Sequence, residues 1–448
     1  MPKMPLKLFN YLTRQTEDFK PIGDIVGLYT CGPTVYDYVH IGNWRTFVFE
    51  DILKRVLVFG GFGVKHIMNL TDIDDKVIKK AQELKIPIND LTNKYSYAFF
   101  EDLEKLNILR ADLYPRATAS IDSMIKLIEK LLDKGFAYKG EDGVYFSVEK
   151  FKNYGKLSQL EKRDLKKGAR VSSDEYDKES WTDFALWKFK REGEPGWSAP
   201  FGEGRPGWHI ECSAMSMNEL GETFDIHAGA IDLLFPHHEN EIAQSEAATG
   251  KKFVNVWMEG EHLLVDGAKM AKRDKNIFTL GDVIKKGFDP LALRYLFLTA
   301  HYRSKLNFTW ESLQSAQNAL NNLRAEVAGW DDPKIGCADY EINFKKAISE
   351  DLDMPKAVAI MWNLVRDDCP SSAKHRSILV MDEVLGLGLD KIKKSEVSEE
   401  VHELIEKRLQ FRLAGDYENA DKIRSKLEKM GIELEDTPDG TKWKTSLK

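Results

Sequence analysis

Long hydrophobic runs are missing from this chain of 448 residues. No apolar stretch approaches the ~20 residues that a helix needs to cross a bilayer. The first residues, MPKMPLKLFNYLTRQTEDF, become polar too early for a secretory signal peptide. We therefore expect no membrane partner and a cytoplasmic location. With 42% hydrophobic and 31% charged residues, the composition is typical of a soluble globular protein of roughly two to four domains.

Cysteine is scarce, and an excess of positive charge is absent. The cysteines Cys31, Cys212, Cys337 and Cys369 are far apart and form no CxxC pair, which argues against a disulfide framework and leaves free thiols or scattered metal ligands. The net charge is −7. The sequence as a whole therefore does not indicate nucleic-acid binding, and such a partner would need a local basic face.

What is present is an alternation of strand and helix signals in residues 21–80. Residues 25–29 and 64–70 predict two buried strands, and the apolar residues between them recur at helical spacing until Gly60 and Gly61. A strand, a helix and a second strand joined by a short crossover imply a parallel pair. The sequence therefore predicts an α/β fold with a doubly wound parallel sheet.

The α/β pattern is interrupted and then resumes. Residues 91–134 predict amphipathic helices, GVYFSV predicts a short strand, and the polar stretch 155–206 is interpreted as an insertion. The pattern resumes at residues 224–227, with a helix predicted from Pro236, a strand at FVNVWM and a hairpin at HLLVDGAKM. The Asp266-Gly267 pair in that hairpin suits a tight turn.

The last third of the chain reads as helices. Several amphipathic segments after Pro290 predict a helical bundle. A charged linker, DKIKKSEVSEE, then leads to two helices at 400–413 and 417–430 and an extended tail, GIELEDTPDGTKWK.

Three distant segments carry residues that can ligate a metal. Cys31 follows the first predicted strand, Cys212 lies in GRPGWHIECSAMS, and His237 and Glu241 lie one helical turn apart in FPHHENEIAQ. Two thiolates, one imidazole and one carboxylate favour zinc over magnesium or calcium. The alternative is ordinary: lone cysteines are commonly small buried residues, and acidic residues are favoured at helix N-termini.

Two short segments can bind phosphate. His40-Ile41-Gly42-Asn43 lies where the first strand passes into a helix, and that end of an open α/β sheet binds ligands. The second segment is KMAKR, where Lys269 and Lys272 can neutralise charge on a polyphosphate. The alternatives are a turn histidine and a solvated basic loop.

Together these segments resemble class I aminoacyl-tRNA synthetases, whose markers are the HIGH and KMSKS sequences, and most closely the cysteinyl-tRNA synthetase family. The resemblance rests on stretches that run in family order from residue 29 to residue 443. They include CGPTVYDYVHIGNWRTFV, MNLTDIDDKVI, GRPGWHIECSAMS, DIHAGAIDLLFPHHENEIAQSEA, LLVDGAKMAK, GDYENADKIR and GIELEDTPDGTKW.

The resemblance implies a domain order. It is a Rossmann-type catalytic domain with an inserted connective region, followed by a helical bundle and a small anticodon-binding domain. The boundaries we predict are 1–95 and 210–305 for the two halves of the catalytic domain, 96–209 for the insertion, 306–392 for the bundle and 393–448 for the anticodon-binding domain.

The resemblance also implies roles for individual residues. One zinc ion would be held by Cys31, Cys212, His237 and Glu241. The cysteine pocket would be lined by Gly32, Thr71 and Trp208; an N-cap for Thr71 and a core position for Trp208 are the alternatives. ATP, with Mg²⁺, would be bound by His40, Gly42, Asn43, Lys269 and Lys272. The tRNA anticodon would be read by Arg412, Tyr417 and Asp421.

The resemblance implies a cysteine–tRNA ligase reaction with L-cysteine, ATP and tRNA(Cys), and we expect a monomer. Three departures from the family pattern qualify this expectation. Asn43 replaces the final histidine of HIGH, Ala271 and Arg273 replace serines of KMSKS, and alanines at 228 and 230 stand where glycines are usual.

Two alternatives remain. A synthetase-like tRNA- or zinc-binding paralogue with impaired catalysis would fit the altered motifs, although both lysines and all four candidate metal ligands are intact. An ATP-dependent ligase that couples cysteine to an amino sugar would fit the catalytic domain, but such an enzyme needs no anticodon reader.

Overall fold

Packing divides the chain, seen in a computed structural model, into two compact units. Unit 1 consists of Met1–Gln314 with Lys345–Val358, and unit 2 of Ser315–Phe344 with Ala359–Lys448. The residues that the structure describes are 3–159, 183–270, 276–392, 399–437 and 440–445. The five segments predicted from the sequence are finer than these two units and stay a prediction.

The elements alternate between strands and helices in the first two thirds of the described chain and are mostly helical afterwards. The strands are β1 (Lys7–Asn10), β2 (Gln15–Asp18), β3 (Ile25–Thr30), β4 (Gly63–Met68), β5 (Ala137–Lys139), β6 (Gly143–Phe146), β7 (Phe184–Phe189), β8 (Gly204–Pro206), β9 (Phe224–Ala230), β10 (Val254–Gly260), β11 (Leu263–Val265), β12 (Ala268–Lys269), β13 (Leu306–Phe308), β14 (Ile432–Thr437) and β15 (Gly440–Thr445). The α-helices are α1 (Ile41–Phe59), α2 (Asp75–Leu84), α3 (Ile88–Lys105), α4 (Ile121–Asp133), α5 (Trp208–Leu220), α6 (Glu239–Thr249), α7 (Leu280–Lys285), α8 (Pro290–Leu298), α9 (Trp310–Ala328), α10 (Ala338–Ser349), α11 (Met354–Arg366), α12 (Ser371–Leu385), α13 (Glu399–Leu413) and α14 (Tyr417–Lys429).

A four-stranded parallel sheet forms the centre of unit 1. Its strand order is β10-β9-β3-β4, and all neighbouring strands are parallel. Val26 and Leu28 of β3 are fully buried, as expected for a parallel sheet whose two faces are covered. The strand order reverses between β3 and β9, and this is where doubly wound sheets open a ligand crevice at the carboxyl ends of their strands. The predicted α/β fold with a parallel sheet is confirmed.

Helix α1 is the crossover between β3 and β4, as the sequence predicted. Most of its residues are buried, including the carboxylate of Asp51. Asp51 pairs with Arg55 at 2.8 Å and with Arg294 of α8 at 2.6 Å. Burial raises the pKa of Asp51, but the two guanidinium groups outweigh burial and lower it. The helix that carries the His40–Asn43 segment is therefore anchored by a paired charge inside the protein.

The insertion contains a second sheet, of which the sequence predicted only the strand GVYFSV, observed as β6. Strands β5, β6, β7 and β8 form an antiparallel sheet in that order, and β7 and β8 lie inside the stretch that was interpreted only as polar. The sequence signal for β7 was the apolar and aromatic segment FALWKF. In the structure its Lys188 is buried and pairs with Asp75 at 2.9 Å. The strand was missed because it is short and its partners are distant in sequence.

The predicted hairpin positions the second phosphate-binding segment. Strands β11 and β12 pair antiparallel, and the turn residues Asp266 and Gly267 have φ of 50° and 79°. Both residues are in the left-handed region, as a tight two-residue hairpin turn requires. The turn places Lys269 at the end of β12.

The last helices of unit 2 follow the sequence closely. The predicted helices at 400–413 and 417–430 correspond to α13 and α14, and the predicted extended tail is a hairpin of β14 and β15. Val401, Leu427, Ile432 and Leu434 form a small hydrophobic core between these elements.

Candidate metal centre and nucleotide-binding edge

Four predicted metal ligands from distant segments meet at the carboxyl end of the parallel sheet. Cys31 follows β3, and Cys212 lies in α5. The helix predicted from Pro236 begins as a regular helix only at Glu239, so His237 lies in the turn before α6 while Glu241 lies within it. The expected one-turn pairing is nevertheless present, since Nε2 of His237 and Oε1 of Glu241 are 3.2 Å apart.

The four side chains are close enough to share one ion. Their ligand atoms all lie within 4.8 Å of one another, and the two sulfurs are 3.9 Å apart. The exposed fractions are 8% for Cys31, 1% for Cys212, 1% for His237 and 0% for Glu241. The described part of the chain therefore contains a buried group that can hold a metal ion.

The chemistry of the donors fits a cation. Burial raises the pKa of Cys31 well above its usual value and raises that of Cys212 as well, so two thiolates here would require a positive charge beside them. Burial also lowers the pKa of His237, which keeps its imidazole neutral and able to ligate. In Glu241 burial raises the pKa, but the neighbouring His227 and His237 outweigh it and lower it.

Two further histidines belong to the same cluster. His227 and His238 are fully buried, so of the two roles open to them, groups that orient the metal ligands or surface histidines, the second is excluded. Nε2 of His227 lies 3.0 Å from Oε2 of Glu241, and Nε2 of His238 lies 3.6 Å from Sγ of Cys31. With Cys31 and Glu241 they form a second possible ligand group.

Glu259 at the end of β10 was missed by the sequence reasoning. Its Oε1 lies 2.7 Å from Nδ1 of His238, and it is fully buried. The available signal was a single acidic residue at the end of the apolar strand VNVWMEG. Its hydrogen bond orients the other ring nitrogen of His238 toward Cys31.

The predicted pocket residues are joined by a chain of hydrogen bonds beside the metal cluster. The backbone N–H of Gly32 donates to Oδ1 of Asn69 at 2.9 Å, and Nδ2 of Asn69 donates to Oγ1 of Thr71 at 3.2 Å. The hydroxyl of Thr71 then donates to Oε2 of Glu211 at 2.8 Å. A Cβ on Gly32 would overlap the carbonyl oxygen of Asn69, so this position excludes a side chain.

The alternatives for the other pocket residues fail. Thr71 is not a helix N-cap, since Asp74 caps α2 by accepting from the N–H of Val77 at 2.8 Å. Trp208 is not a core aromatic, since 37% of it is exposed and its ring stacks on His237 at 4.3 Å. Both residues border the candidate metal centre.

Sequence reasoning also missed Asn69 and Glu211. Glu211 is fully buried, and burial raises its pKa well above the usual value of a glutamate. Its signal was an acid next to Cys212 in a helix that otherwise presents buried residues. Acids are almost never fully buried unless they are paired, so a fully buried acid next to a predicted ligand is a candidate functional residue.

The His40–Asn43 segment forms the N-terminal end of α1. His40 is the N-cap, and its Nδ1 accepts a hydrogen bond from the backbone N–H of Asn43 at 3.2 Å. A Cβ on Gly42 would overlap the terminal methyl of Met270, so the second phosphate-binding segment lies directly over this helix end. The two candidate phosphate sites therefore share one edge of the sheet.

Lys269 is already paired at this edge. Its Nζ donates to Oδ1 of Asp232 at 2.7 Å, and Nδ1 of His262 lies 3.3 Å from Oδ2 of the same residue. Burial raises the pKa of Asp232, but hydrogen bonds from His262 and Lys269 outweigh it and lower the pKa to about 2. Lys272, together with Ala271 and Arg273, lies outside the described residues.

The anticodon candidates lie in unit 2. Arg412 is in the last turn of α13, and Tyr417 is the first residue of α14 with 64% of its surface exposed. Asp421 is exposed and lies one turn after Tyr417 on the same face. The structure thus brings Tyr417 and Asp421 together on a solvent-facing surface.

The sequence is similar to known aminoacyl-tRNA synthetases along almost its whole length. Residues 19–318 match the family model described as tRNA synthetases class I (C) catalytic domain. A cysteine–tRNA ligase of Chlamydia muridarum is 44% identical over 473 aligned positions, covering 98% of this chain and 100% of the relative. One from Protochlamydia amoebophila is 45% identical, covering 99% of this chain and 98% of the relative.

Solved structures agree on the fold. Mycobacterium tuberculosis methionyl-tRNA synthetase in complex with methionyl-adenylate superimposes with a TM-score of 0.59 at 14% identity, covering 86% of this chain and 94% of that one. No helix in the described residues is long and apolar enough to cross a membrane.

Proposed function

Because the chain belongs to the cysteine–tRNA ligase family of class I aminoacyl-tRNA synthetases, we propose that it activates L-cysteine with ATP and transfers it to the 3′ end of tRNA(Cys). The observation that carries this proposal is the buried group of Cys31, Cys212, His237 and Glu241, which adjoins a candidate nucleotide site at the same sheet edge. A thiol-selecting site and a phosphate-binding site side by side are what cysteine activation requires.

We propose that these four residues hold one zinc ion. The two sulfurs and one imidazole are soft and borderline donors, which suit zinc better than magnesium or calcium. When bound, zinc supplies a soft Lewis acid that prefers the sulfur of cysteine to the hydroxyl of serine. A pocket that selects by shape alone distinguishes amino acids that differ by one methylene only ~10–200-fold, so a sulfur-selective site can work without an editing domain.

The protein's own groups then position the amino acid. Position 32 admits no side chain, because a Cβ there would overlap the carbonyl oxygen of Asn69. The glycine therefore keeps the space beside Cys31 free of a side chain. Thr71 holds its hydroxyl toward Glu211, and Trp208 covers His237. These contacts fix the walls of the pocket before the substrate arrives, and pre-organisation of this kind lowers the cost of binding.

The nucleotide-binding edge supports ATP. We propose that His40 and Asn43 contact the phosphates, that Gly42 lets the adenine side approach the backbone, and that Lys269 and Lys272 neutralise the departing pyrophosphate. The cysteine carboxylate would attack the α-phosphorus of Mg²⁺-bound ATP, forming cysteinyl-adenylate. To neutralise the pyrophosphate, Lys269 must exchange its hydrogen bond with Asp232 for one with a phosphate oxygen. A positive charge placed where negative charge develops in the transition state is commonly the largest contribution to the rate enhancement.

Transfer to tRNA would use unit 2 for recognition. The terminal ribose hydroxyl of the tRNA attacks the activated carbonyl and releases AMP. Tyr417 presents an exposed ring on which an unstacked anticodon base can lie, and Arg412 and Asp421 offer a donor and an acceptor to base edges. We expect the active protein to be a monomer, which light scattering at assay concentration would test.

The experiment that tests this function is cysteine-dependent exchange of pyrophosphate into ATP, with serine in parallel. We expect exchange with cysteine and little with serine. A folded, zinc-containing protein without exchange would instead support the impaired paralogue. Charging of tRNA(Cys) would then separate the ligase from an enzyme that couples cysteine to an amino sugar.

A further inference from the structure

Glu211 is a buried acid with an unused oxygen next to the candidate metal centre. Its Oε2 accepts the hydroxyl proton of Thr71 at 2.8 Å, while Oε1 has no hydrogen-bond partner among the described residues. The residue is fully buried. An unsatisfied buried carboxylate oxygen is costly in the free protein, so a ligand that donates a hydrogen bond to Oε1 would remove this cost.

The neighbouring acids are already occupied. Asp72 accepts both the N–H and the hydroxyl of Thr118, at 2.9 and 2.7 Å, and Asp74 caps α2. Both carboxylates act electrostatically on Glu211, and the nearby Arg205 partly offsets them. Among these acids, Glu211 is therefore the one with a buried carboxylate oxygen that accepts no hydrogen bond from the described residues.

The position of Glu211 relative to the metal ligands limits what this acceptor can bind. The hydrogen-bond chain from Gly32 through Asn69 and Thr71 joins the residue after Cys31 to the residue before Cys212. In cysteine the ammonium nitrogen is three bonds from the sulfur, so a cysteine whose sulfur lies among the metal ligands would carry its ammonium group close to the residues that adjoin Cys31 and Cys212. Oε1 of Glu211 is therefore suited to accept a hydrogen bond from a cationic donor close to the sulfur.

We propose that Glu211 binds the α-ammonium group of cysteine through Oε1. The hydroxyl of Thr71 holds the Glu211 carboxylate in place by donating a hydrogen bond to Oε2. This inference rests on the proposed function, since it assigns a further residue to the same amino-acid site. It makes Glu211 a binding residue that selects a thiol carrying a neighbouring ammonium group over a simple thiol.

The test compares two ligands that differ only in this group. 3-Mercaptopropanoate keeps the thiol and the carboxylate of cysteine and lacks its ammonium group. Both compounds are titrated calorimetrically into the zinc-loaded full chain, using the wild type and Glu211→Gln. Glutamine has the same shape and can still accept from Thr71. Because a hydrogen bond to a charged group is lost, we expect cysteine to bind about 10- to 100-fold more weakly to the variant.

Binding of 3-mercaptopropanoate to the same variant should stay within about 3-fold of the wild type, because neither protein has an ammonium group to bind. Glu219→Gln, on the same helix and paired at 3.7 Å with Lys65, is the matched control and should change neither affinity. Zinc content is measured for all three proteins. In exchange assays the KM for cysteine should rise more than kcat falls.

Each remaining outcome decides the matter. Equal weakening of both ligands, or no weakening of cysteine, would show that Glu211 only shapes the pocket, and the proposal would be overturned. If Glu211→Gln does not fold, Glu211→Asp is titrated instead; it keeps the charge, withdraws the carboxylate by one methylene group, and should weaken cysteine while leaving 3-mercaptopropanoate unchanged. A wild type that binds the two compounds with equal affinity would also overturn the proposal, because a charged hydrogen bond is worth about 10-fold or more. A wild type that binds neither compound refutes the proposed function as well.

Discussion

The candidate metal centre and the candidate nucleotide-binding edge lie at the same end of the parallel sheet but are built differently. Cys212, His237 and Glu241 are at most 1% exposed, and their neighbours are joined by hydrogen bonds. At the nucleotide edge the side chains of Lys269 and Asp232 are 63% and 52% exposed. One site is enclosed by the core and the other is solvated.

This difference predicts how the two substrates of the proposed reaction would be recognised. A buried cluster has its geometry fixed by packing, and its electrostatic interactions are strong because water is excluded. It can therefore distinguish small differences between amino acids. An exposed ion pair such as Lys269–Asp232 contributes little to stability and can exchange partners when phosphate arrives. Specificity is thus expected to depend on the buried site, and turnover on the exposed one.

Replacement of a buried ligand should have the largest effect. In Cys212→Ser the hydroxyl is a harder donor than the thiolate, so zinc binding should weaken and the cluster should lose its counter-ion. Cysteine-dependent exchange should fall by more than the ~10–100-fold that is typical for residues that only support a metal ligand. Zinc content by atomic absorption and exchange are measured on the same sample.

The matched control is Cys369→Ser, because Cys369 lies in unit 2 and is only partly buried. It should keep full zinc content and exchange. A Cys212→Ser protein that retains stoichiometric zinc and discriminates cysteine from serine as well as the wild type would contradict the comparison, because the buried cluster would then not be the selector.

Replacement at the exposed edge should slow turnover and leave the buried site unchanged. Lys269→Met keeps an unbranched side chain that is one atom shorter and removes its charge. We expect kcat for exchange to fall by about 10²–10³-fold, as for other groups that stabilise transition-state charge. Zinc content and melting temperature should be unchanged, because Lys269 is exposed. Lys285→Met, another exposed lysine, is the control, and an equal loss in both variants would argue for a general charge effect.

The parallel sheet was predictable because its signals are local. Buried strands at 25–29 and 64–70 and an apolar helix between them are continuous in sequence, and the observed β3, β4 and α1 match them. The antiparallel sheet of the insertion was not predictable, since β6 and β7 pair across a long polar segment. Propensity does not encode which short strands meet when they are far apart in the chain.

The candidate site divides in the same way. Cys31, Cys212, His237 and Glu241 were found because their residue types are chemically unusual together, and because the chain resembles a known family. Asn69, Glu211 and Glu259 were missed because each is an ordinary residue type whose importance follows from burial and from contacts distant in sequence. Burial of an acid is visible only once the fold is known.

A third exposed site should affect only the second half-reaction. Tyr417→Ala removes a ring that is 64% exposed and leaves the helix start intact, because Asp416 caps α14 by accepting from Asn419. Stacking of one base on an aromatic ring is worth ~1–3 kcal/mol, so kcat/KM for charging tRNA(Cys) should fall about 10-fold. Pyrophosphate exchange should not change, and Tyr417→Phe should retain most of the charging activity. A parallel loss of exchange would mean that the mutation disturbs the fold.

The smallest effect is expected where the exposed edge departs from the family pattern. Asn43→His restores the HIGH sequence at an exposed position of α1. The backbone N–H of residue 43 still donates to His40, and both side chains can donate a hydrogen bond to a phosphate oxygen. Since a neutral hydrogen bond contributes about 1 kcal/mol, exchange should change by less than about 5-fold, while Asn43→Ala should reduce it by about 5-fold. Steady-state exchange with ATP varied would measure both.

Two outcomes would contradict this expectation. A gain of about 100-fold in Asn43→His would identify the natural protein as catalytically impaired at this edge. Wild-type activity in Asn43→Ala would remove Asn43 from the nucleotide site. Either result would assign the effect of the HIGH-to-HIGN change to the exposed nucleotide edge, because the buried cluster has the same residues in all of these variants.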